Sequence, residues 1–308
     1  MNLETKSLDL YDVSTVQDDS TTGTPTFLNS IAMPDPGCTA LPTTPSYGHQ
    51  PFGVTALDGG NALVGVQCAD NLLGAVYQIA LAGGAATQLV TLDADYYARA
   101  DRGLGETERW NSWTDDFFEL NLDPNGGAWP SGNHFNAYRS QPLISDINVA
   151  ADGSMDISIM DRAGHQIGWV NRSTDPADSN SYYIGLASGD TLYVCANGAL
   201  EGTAGCPVND SANGFYTADT FPGAHHETTV GGAWVGDWSG EHVTVQMDAP
   251  DAFNAGGIMW WPRSEDTPEL GLTPFYSGVW ATSNPGAGFF LGKSAGMGDV
   301  EGLSLIHI

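Results

Sequence analysis

Basic residues are scarce in this sequence. Its 308 residues include 9 lysines and arginines against 37 aspartates and glutamates, which gives a formal net charge of −28 at pH 7. Nucleic acids and anionic lipid surfaces are bound through clustered Lys and Arg side chains, so this composition argues against both as partners. The acidity is typical of the solvated exterior of a secreted or salt-adapted protein.

Long apolar runs and helical periodicity are also lacking. No segment reaches the roughly 18 consecutive apolar residues that a membrane-spanning helix requires. Gly and Pro interrupt nearly every stretch that is long enough to form a helix. We therefore expect no membrane insertion within this chain and very little helix.

Cysteines number only four, and they fall into two local pairs. Neither spacing is C-x-x-C, and no histidine lies close enough in sequence to suggest a zinc module. Disulfides Cys38–Cys68 and Cys195–Cys206 are the simplest interpretation, with free buried thiols as the alternative. Disulfides imply an oxidising compartment, so we expect an extracellular or cell-surface location.

Short alternating apolar segments joined by glycine turns are abundant in the sequence. Four stretches predict β-hairpins: FGVTALDGGNALVGVQC, GAVYQIALAGGAATQLVTL, INVAADGSMDISIMD and AWVGDWSGEHVTVQMDAP. Asp-Gly between such segments is a strong hairpin signal because a type I′ turn requires positive φ at both central residues. This pattern predicts an all-β fold, either a β-propeller of about six or seven blades or a β-sandwich.

The two ends of the chain suggest a fragment. The start has no leader-like segment, and an apolar hexapeptide, LSLIHI, comes after GDVEG at the end. One reading frame of the transposon-end adaptor used in sequencing libraries encodes the same six residues. We therefore expect residues 1–302 to form a single propeller-like domain truncated at both ends, with residues 303–308 as a non-native tail.

Polar residues concentrate in PLISDINVAADGSMDISIMDRAGHQIG, residues 142–168. Asp152 and Gly153 fit a turn, while Asp146 and Asp156 alternate onto one strand face, which we expect to be solvated. The segment after the second strand is less ordinary, because charged residues come directly after an apolar run. We expect these polar residues to cluster near the strand end: Asp161, Arg162, His165 and Gln166.

Two interpretations of this cluster remain open. In the structural one, Asp161 and Arg162 anchor the strand end to neighbouring blades by charge-assisted hydrogen bonds. In the functional one, the cluster lies at a mouth of a central channel and binds a divalent cation, such as calcium, or a sugar. Further carboxylates and an imidazole from other segments would then join it: Asp219, His226, Glu227, Asp299 and Glu301.

Aromatic residues suggest a second kind of contact. Trp110 and Trp113 lie in a polar stretch, residues 109–116, that has the composition of a loop. Exposed rings beside hydrogen-bonding side chains commonly bind sugars or peptides. We expect these two tryptophans to be exposed.

A family resemblance runs through several of these segments: QPLISDINVAADGSMDISIMDRAGHQIG, GDTLYVCANG, FYTADTFPGAHHETTVGGAWV, DAFNAGGIMWW and GKSAGMGDVEGL. Together they resemble the propeller-like N-terminal region of large bacterial surface proteins that carry SdrD B-like repeats. The resemblance runs from PFGVTAL to residue 302, and its most specific part is D-R-x-G-H-Q-x-G at residues 161–168. No B-like repeat is present in the chain itself, so the repeats and anchor of that family are not carried over by any residue of this sequence.

The resemblance implies a non-catalytic structural or adhesive module of a larger bacterial surface protein, followed by further domains of the same polypeptide. Its ligand would be an extracellular glycan or protein. Two alternatives remain open: an extracellular propeller-fold hydrolase or lyase acting on carbohydrate, and a calcium-dependent binding module. With 37 acidic residues, the sequence singles out no catalytic carboxylate pair.

Overall fold

The computed structural model describes residues 1–14, 24–40, 47–92, 110–114, 134–137, 140–167, 171–172, 177, 182–185, 189–200, 204–206, 229–236, 241–247, 255–262 and 272–277. Within these residues the chain is all-β, as predicted, and its sheets are mostly antiparallel. The helix found there, α1 (Arg162–Ile167), is six residues long. In this part of the chain no helix has the length and apolar character needed to cross a membrane.

The strands found among the described residues group into five sheets. An N-terminal hairpin joins β1 (Ser7–Asp12) and β2 (Thr26–Ala32). The first sheet is a meander of β3 (His49–Leu57), β4 (Asn61–Cys68), β5 (Gly74–Ala80) and β6 (Thr87–Leu92). A small sheet combines β7 (His134–Ala137), β10 (Asn171–Arg172) and β11 (Tyr182–Gly185), with β7 and β11 parallel. The second sheet contains β8 (Pro142–Val149), β9 (Met155–Asp161) and β12 (Asp190–Val194), with β9 in the middle. The third is a meander of β13 (Thr229–Gly236), β14 (Glu241–Met247), β15 (Ala255–Pro262) and β16 (Leu272–Ser277).

All four predicted hairpins are present as antiparallel strand pairs: β3 with β4, β5 with β6, β8 with β9, and β13 with β14. The turn between β8 and β9 differs in detail from the expected type I′. Only Gly153 of the Asp152-Gly153 pair has positive φ, at 85°. Asp152 instead accepts a hydrogen bond from the Ser154 N–H through its side chain, at 2.9 Å. The Gly153 N–H donates to the Ala150 carbonyl at 2.9 Å, so Ala151 and Asp152 form the turn and Gly153 follows it in the left-handed region, as in a three-residue hairpin loop.

An apolar core lies between the first and second sheets. Leu63 and Val76 from the first sheet pack with Ile157 and Ile159 from the second, and all four are at most 1% exposed. Gly65 on β4 permits this contact, because a Cβ there would lie 2.3 Å from Ile144 Cγ2. The other face of the first sheet is covered by the N-terminal hairpin, through Leu8, Ile31 and their neighbours. The central strands of the first sheet, β4 and β5, are therefore buried on both faces.

The first strands of successive sheets are neighbours. β3 contacts β8, and β8 contacts β13. Gly53 on β3 lies so close to β8 that a Cβ there would be 2.9 Å from the Ser145 carbonyl carbon. The Thr55 hydroxyl on β3 also donates to the Ile147 carbonyl. The three main sheets are thus stacked in chain order, each with its first strand beside that of the next.

Both predicted disulfides are confirmed. Cys38 is bonded to Cys68, and Cys195 to Cys206, with sequence separations of 30 and 11 residues. The first ties the segment before β3 to the end of β4, and the second closes the loop that comes after β12. The alternative of free thiols is wrong, since no unpaired cysteine occurs among the described residues.

The outer face of the N-terminal hairpin carries a carboxylate with three side-chain donors. Hydrogen bonds from the Ser30 and Ser7 hydroxyls and from the Asn2 amide hold the pKa of Asp9 below its ordinary value of 3.8. These donors join β1, β2 and the N-terminal residues. Because they favour the ionised form, the contribution of Asp9 to stability is present above pH 3.8 and is lost as the pH falls through the lowered pKa.

We predict that Asp9→Asn makes the melting temperature lower at pH 7 and less sensitive to acid below pH 4. An amide accepts hydrogen bonds more weakly than a carboxylate and does not titrate there. Calorimetric melting from pH 2 to 7 measures both effects. Asp58→Asn, in the exposed turn between β3 and β4, is the control. An Asp9→Asn melting profile that runs parallel to that of the wild type would contradict the prediction.

Candidate functional site

The charged segment after β9 forms one helical turn, which the sequence pattern did not predict. Asp161 is 1% exposed, and its Oδ1 accepts hydrogen bonds from the Gln141 N–H (2.9 Å) and the Ala163 N–H (3.0 Å). The second bond satisfies an amide at the start of α1, where no helical carbonyl is within reach. His165, one turn later, donates through Nδ1 to the Asp161 carbonyl at 2.8 Å. Asp161 thus joins the end of β9, the start of β8 and the helix.

Arg162 leaves this helix towards two aromatic rings. Its guanidinium carbon lies 4.5 Å from the centre of the Trp113 ring and 6.0 Å from that of Tyr47. Its Nη1 donates to the Gln141 Oε1 at 2.6 Å. The Trp113 indole N–H donates to the Pro142 carbonyl at 2.9 Å. We call Trp113, Gln141, Asp161 and Arg162 the strand-end cluster.

The cluster joins segments that are distant in sequence. The Trp113 backbone N–H donates to the Ala69 carbonyl at 2.8 Å, which links it to the first sheet just after β4. The side chains of Gln141 and Arg162 link it to the second sheet. The Arg162 guanidinium is held over the Trp113 indole by cation–π attraction, and its hydrogen bond to Gln141 fixes its orientation. The cluster therefore fastens the first sheet to the second.

The predicted polar constellation is placed only in part. Asp161, Arg162 and His165 do lie together at the strand end, whereas the side chain of Gln166 is exposed on the helix. The remaining members lie outside the described residues: Asp219, His226, Glu227, Asp299 and Glu301.

The prediction that Trp110 and Trp113 are exposed is wrong. Their side chains are 3% and 5% exposed. Trp110 belongs to the apolar core between the first two sheets, and Trp113 packs with Ala69 and Leu143. The polar residues around them are explained by backbone contacts, such as the Ser112 hydroxyl donating to the Asp70 carbonyl at 2.6 Å. This loop lies over the sheets and inserts its rings between them.

The prediction that Asp146 and Asp156 face solvent is also wrong. Asp156 is completely buried and Asp146 is partly buried, because the third sheet packs against this face of the second. The contact is polar, unlike the apolar one on the other face. We call its hydrogen-bonding side chains the polar seam: Ser145, Asp146, Asn148, Asp156 and His242.

Side chains of β8 bind the backbone of β13 across the polar seam. The Ala233 N–H donates to Asp146 Oδ2 at 3.0 Å, and Asn148 Nδ2 donates to the Ala233 carbonyl at 2.9 Å. Asn148 Nδ2 also donates to Asp146 Oδ2 at 2.7 Å, which fixes the two side chains relative to each other. The Asp146 and Asn148 side chains thus provide Ala233 with the hydrogen-bond acceptor and donor that the backbone of a neighbouring strand would otherwise provide.

A break in strand pairing lies next to this contact. The pairing of β13 with β14 shifts register between Thr229 and Ala233. Within the shift, Gly231 has a φ of 102° and its carbonyl accepts from the Ser145 hydroxyl at 2.7 Å. A Cβ at Gly231 would lie 2.7 Å from Met160 Cβ, so a side chain there is excluded. The irregular part of β13 is thus bonded by β8 instead of β14.

The deepest contact of the polar seam pairs an imidazole with a carboxylate. His242 Nδ1 on β14 lies 3.2 Å from Asp156 Oδ2 on β9, and both side chains are 0% exposed. When Asp156 is ionised its oxygens only accept, and the donor in this hydrogen bond is then the N–H at Nδ1. His242 was not among the residues predicted from sequence, because it lies 86 residues from Asp156 and comes after an ordinary turn. The available sequence signal is the alternation of polar and apolar residues in EHVTVQM, which places His242 on one face of a strand.

The described part of this region has the chemistry of sheet-to-sheet attachment. The His242–Asp156 pair of the polar seam is closed to solvent, so it meets no substrate from outside. The group of potential metal ligands found among the described residues is Asp35 with Cys38 and Cys68, whose sulfurs are joined in a disulfide. Disulfide sulfurs lack the thiolate that metal binding requires. One sequence pattern, GKSAG at residues 292–296, matches G-x-S-x-G but lies outside the described residues.

No protein-family model matches the sequence, and no curated protein matches it.

Proposed function

We propose that the three stacked sheets are consecutive blades of a β-propeller of about six or seven blades, formed by residues 1–302. A propeller blade is an antiparallel meander whose two faces pack on the preceding and following blades. The central strands of the first sheet and the strands of the second sheet have buried residues on both faces, and the first strands β3, β8 and β13 lie side by side. A two-sheet sandwich buries one face of each sheet, so these observations favour the propeller over the sandwich.

We also propose that this domain is a non-catalytic structural or adhesive module of a larger bacterial surface protein. The observation that carries this proposal is that the described part, residues 161–167, of the most distinctive motif, residues 161–168, holds sheets together. Asp161 Oδ1 accepts hydrogen bonds from two backbone N–H groups, and the Arg162 guanidinium lies over the Trp113 ring. Two disulfides and the acidic composition support exposure to an oxidising, extracellular medium. The resemblance to surface proteins with SdrD B-like repeats agrees with this role.

The proposed function can be tested by measuring adhesion to surfaces and enzymatic cleavage of polysaccharides with the same protein preparation. Beads coated with the chain are applied to surfaces bearing glycans or extracellular matrix proteins, and the same preparation is screened on polysaccharides for released reducing ends and unsaturated products. Retained beads with no released product support the proposal. Product release that Glu227→Gln or Ser294→Ala abolishes would establish the hydrolase or lyase alternative. Asp161→Ala is unsuitable for this purpose, since loss of this buried carboxylate disturbs the fold itself.

A chelator separates the calcium-dependent alternative. A ligand that binds the folded state raises its melting temperature, so removal of calcium lowers it. An unchanged melting temperature with and without chelator supports the proposal, and a decrease that added calcium reverses would overturn it in favour of a calcium-dependent module. The gene sequence around this segment gives a further check: we expect a leader before it and B-like repeats with an anchor after it.

A further inference from the structure

The second strand of the N-terminal hairpin has an open edge. β2 pairs with β1 and with no other strand among the described residues. Its first five residues, Thr26 to Ser30, are all exposed. The Ser30 N–H donates to the Asn29 side chain at 2.8 Å, so a local amide oxygen serves as its acceptor. A carbonyl from an added strand can replace that oxygen without leaving a buried group unsatisfied.

Large apolar side chains line this edge. Phe27 is 54% exposed and Leu28 is 61% exposed, while Tyr11 on β1 is 52% exposed and meets the Phe27 ring edge-on at 5.6 Å. Leu28 is an extra residue in β2, since the pairing passes from Leu10 with Asn29 to Tyr11 with Phe27. This bulge presents Leu28 outward. We call Tyr11, Phe27, Leu28 and Asn29 the β2 edge site.

The usual protection of an edge strand is weak at this site. Natural edge strands commonly carry lysine or proline within the strand, which discourages pairing with other chains. Residues 26–32, TFLNSIA, contain neither, although the bulge limits the length of regular pairing. The site therefore suits a short extended segment rather than a long strand.

Charge decides which segment fits. Residues 1–35 contain one basic residue, Lys6. The same segment contains six acidic residues: Glu4, Asp9, Asp12, Asp18, Asp19 and Asp35. Asp9 and Asp12 both have a pKa below the ordinary value because of hydrogen bonds to Ser30 and Ser14 respectively, so they stay ionised down to acidic pH. A second copy of this chain, at −28, is repelled, whereas a basic segment is attracted.

We propose that the β2 edge site binds an extended segment of another polypeptide that carries lysine or arginine alternating with apolar residues, by addition as a strand. Main-chain hydrogen bonds to β2 supply affinity, contacts of the apolar residues with Phe27 and Leu28 supply selectivity, and the basic residues face the acidic hairpin. This proposal names a partner class for the adhesive role proposed above and rests on it. It does not depend on the number of blades.

Three labelled ten-residue peptides test the proposal against the full chain by fluorescence anisotropy: alternating Lys and Val, alternating Glu and Val, and the Lys–Val peptide N-methylated at alternate residues. We expect the Lys–Val peptide to bind and each of the other two to bind at least about tenfold more weakly. Equal binding of the N-methylated peptide would overturn strand addition. Absence of binding by the Lys–Val peptide would overturn the proposed partner.

Two substitutions to lysine locate the site. Leu28→Lys is expected to weaken binding of the Lys–Val peptide by about tenfold, because it replaces an apolar contact with a like charge. Val54→Lys is the matched control, since Val54 is 45% exposed on β3, and we expect a change of less than about twofold. Equal weakening by both variants would mean general charge attraction and would overturn the site.

The adhesion assay separates failure of this proposal from failure of the proposed function. If Leu28→Lys beads adhere as well as the wild type while their peptide binding is lost, adhesion stands and the β2 edge site is not its cause. If sedimentation velocity shows that the chain dimerises and Leu28→Lys makes it monomeric, the edge binds a second copy and the basic-partner proposal is wrong.

Discussion

The Asp156→Ala variant is expected to lose about 3 kcal/mol of unfolding free energy. Its carboxylate is 0% exposed and lies 3.2 Å from His242 Nδ1 at the centre of the polar seam. Alanine removes this acceptor from a place that solvent does not reach, so the imidazole N–H loses a hydrogen bond that water cannot replace. Urea unfolding followed by tryptophan fluorescence measures the difference.

Matched variants separate the hydrogen bond from charge and volume. Asp156→Asn keeps an amide oxygen in nearly the same volume, so we expect a loss of about 1 kcal/mol. Asp58→Ala removes an exposed carboxylate in a turn and should change stability by less than about 0.5 kcal/mol. In a double-mutant cycle with His242→Ala, we expect a coupling of about 1 to 3 kcal/mol. Additive losses would contradict a direct contact between the two side chains.

The polar seam explains how two sheets with a hydrophilic interface pack face to face. A purely apolar face would bind any other apolar face of similar shape, whereas Asp146 and Asn148 bind one backbone position, Ala233. The Ser145 hydroxyl binds a further position, the Gly231 carbonyl, inside the irregular part of β13. The hydrogen bonds of the polar seam therefore fix which strand lies beside β8 and in which register, although forming them requires the carboxylates to be dehydrated.

Local elements of this fold could be predicted from the sequence, and the packing of its sheets could not. The hairpins are predictable because their signals, such as Asp152-Gly153 between alternating segments, lie within a few residues of each other. The disulfides are predictable for a similar reason, since each pair closes a local loop. Hairpins and these disulfides depend on contacts between residues that are close in sequence, so a short stretch of sequence is enough to predict them.

Predictions about burial were wrong where a distant segment covers the face in question. Asp156 alternates with apolar residues just as a solvated position would, and only β13 and β14, more than 70 residues further on, remove it from water. Trp113 lies among polar residues, yet its ring packs with residues that are distant in sequence: Tyr47, Ala69, Leu143 and Met160. The sequence of an alternating strand is the same whether its polar face contacts solvent or a polar face of another sheet.

Trp113→Ala is expected to lower the unfolding free energy by about 4 kcal/mol, a larger loss than that of Asp156→Ala. The substitution removes a side chain that is 5% exposed, the indole N–H bond to the Pro142 carbonyl and the ring beneath Arg162. Because the ring touches both the first and second sheets, the resulting cavity lies where they join. Urea unfolding followed by far-UV circular dichroism measures this loss without relying on tryptophan emission.

Trp113→Phe and Arg162→Met divide that loss among its causes. Phenylalanine keeps a ring under Arg162 but leaves the Pro142 carbonyl without its donor, so we expect about 2 kcal/mol. Arg162→Met keeps the packing of the stem and removes the cation, with an expected loss of about 1 kcal/mol. Phe27→Ala, which truncates an aromatic ring that is 54% exposed, is the control and should lose no more than about 1 kcal/mol. If Trp113→Ala loses no more than this control, the strand-end cluster does not fasten the first sheet to the second, and the distinctive motif at residues 161–167 has some other role.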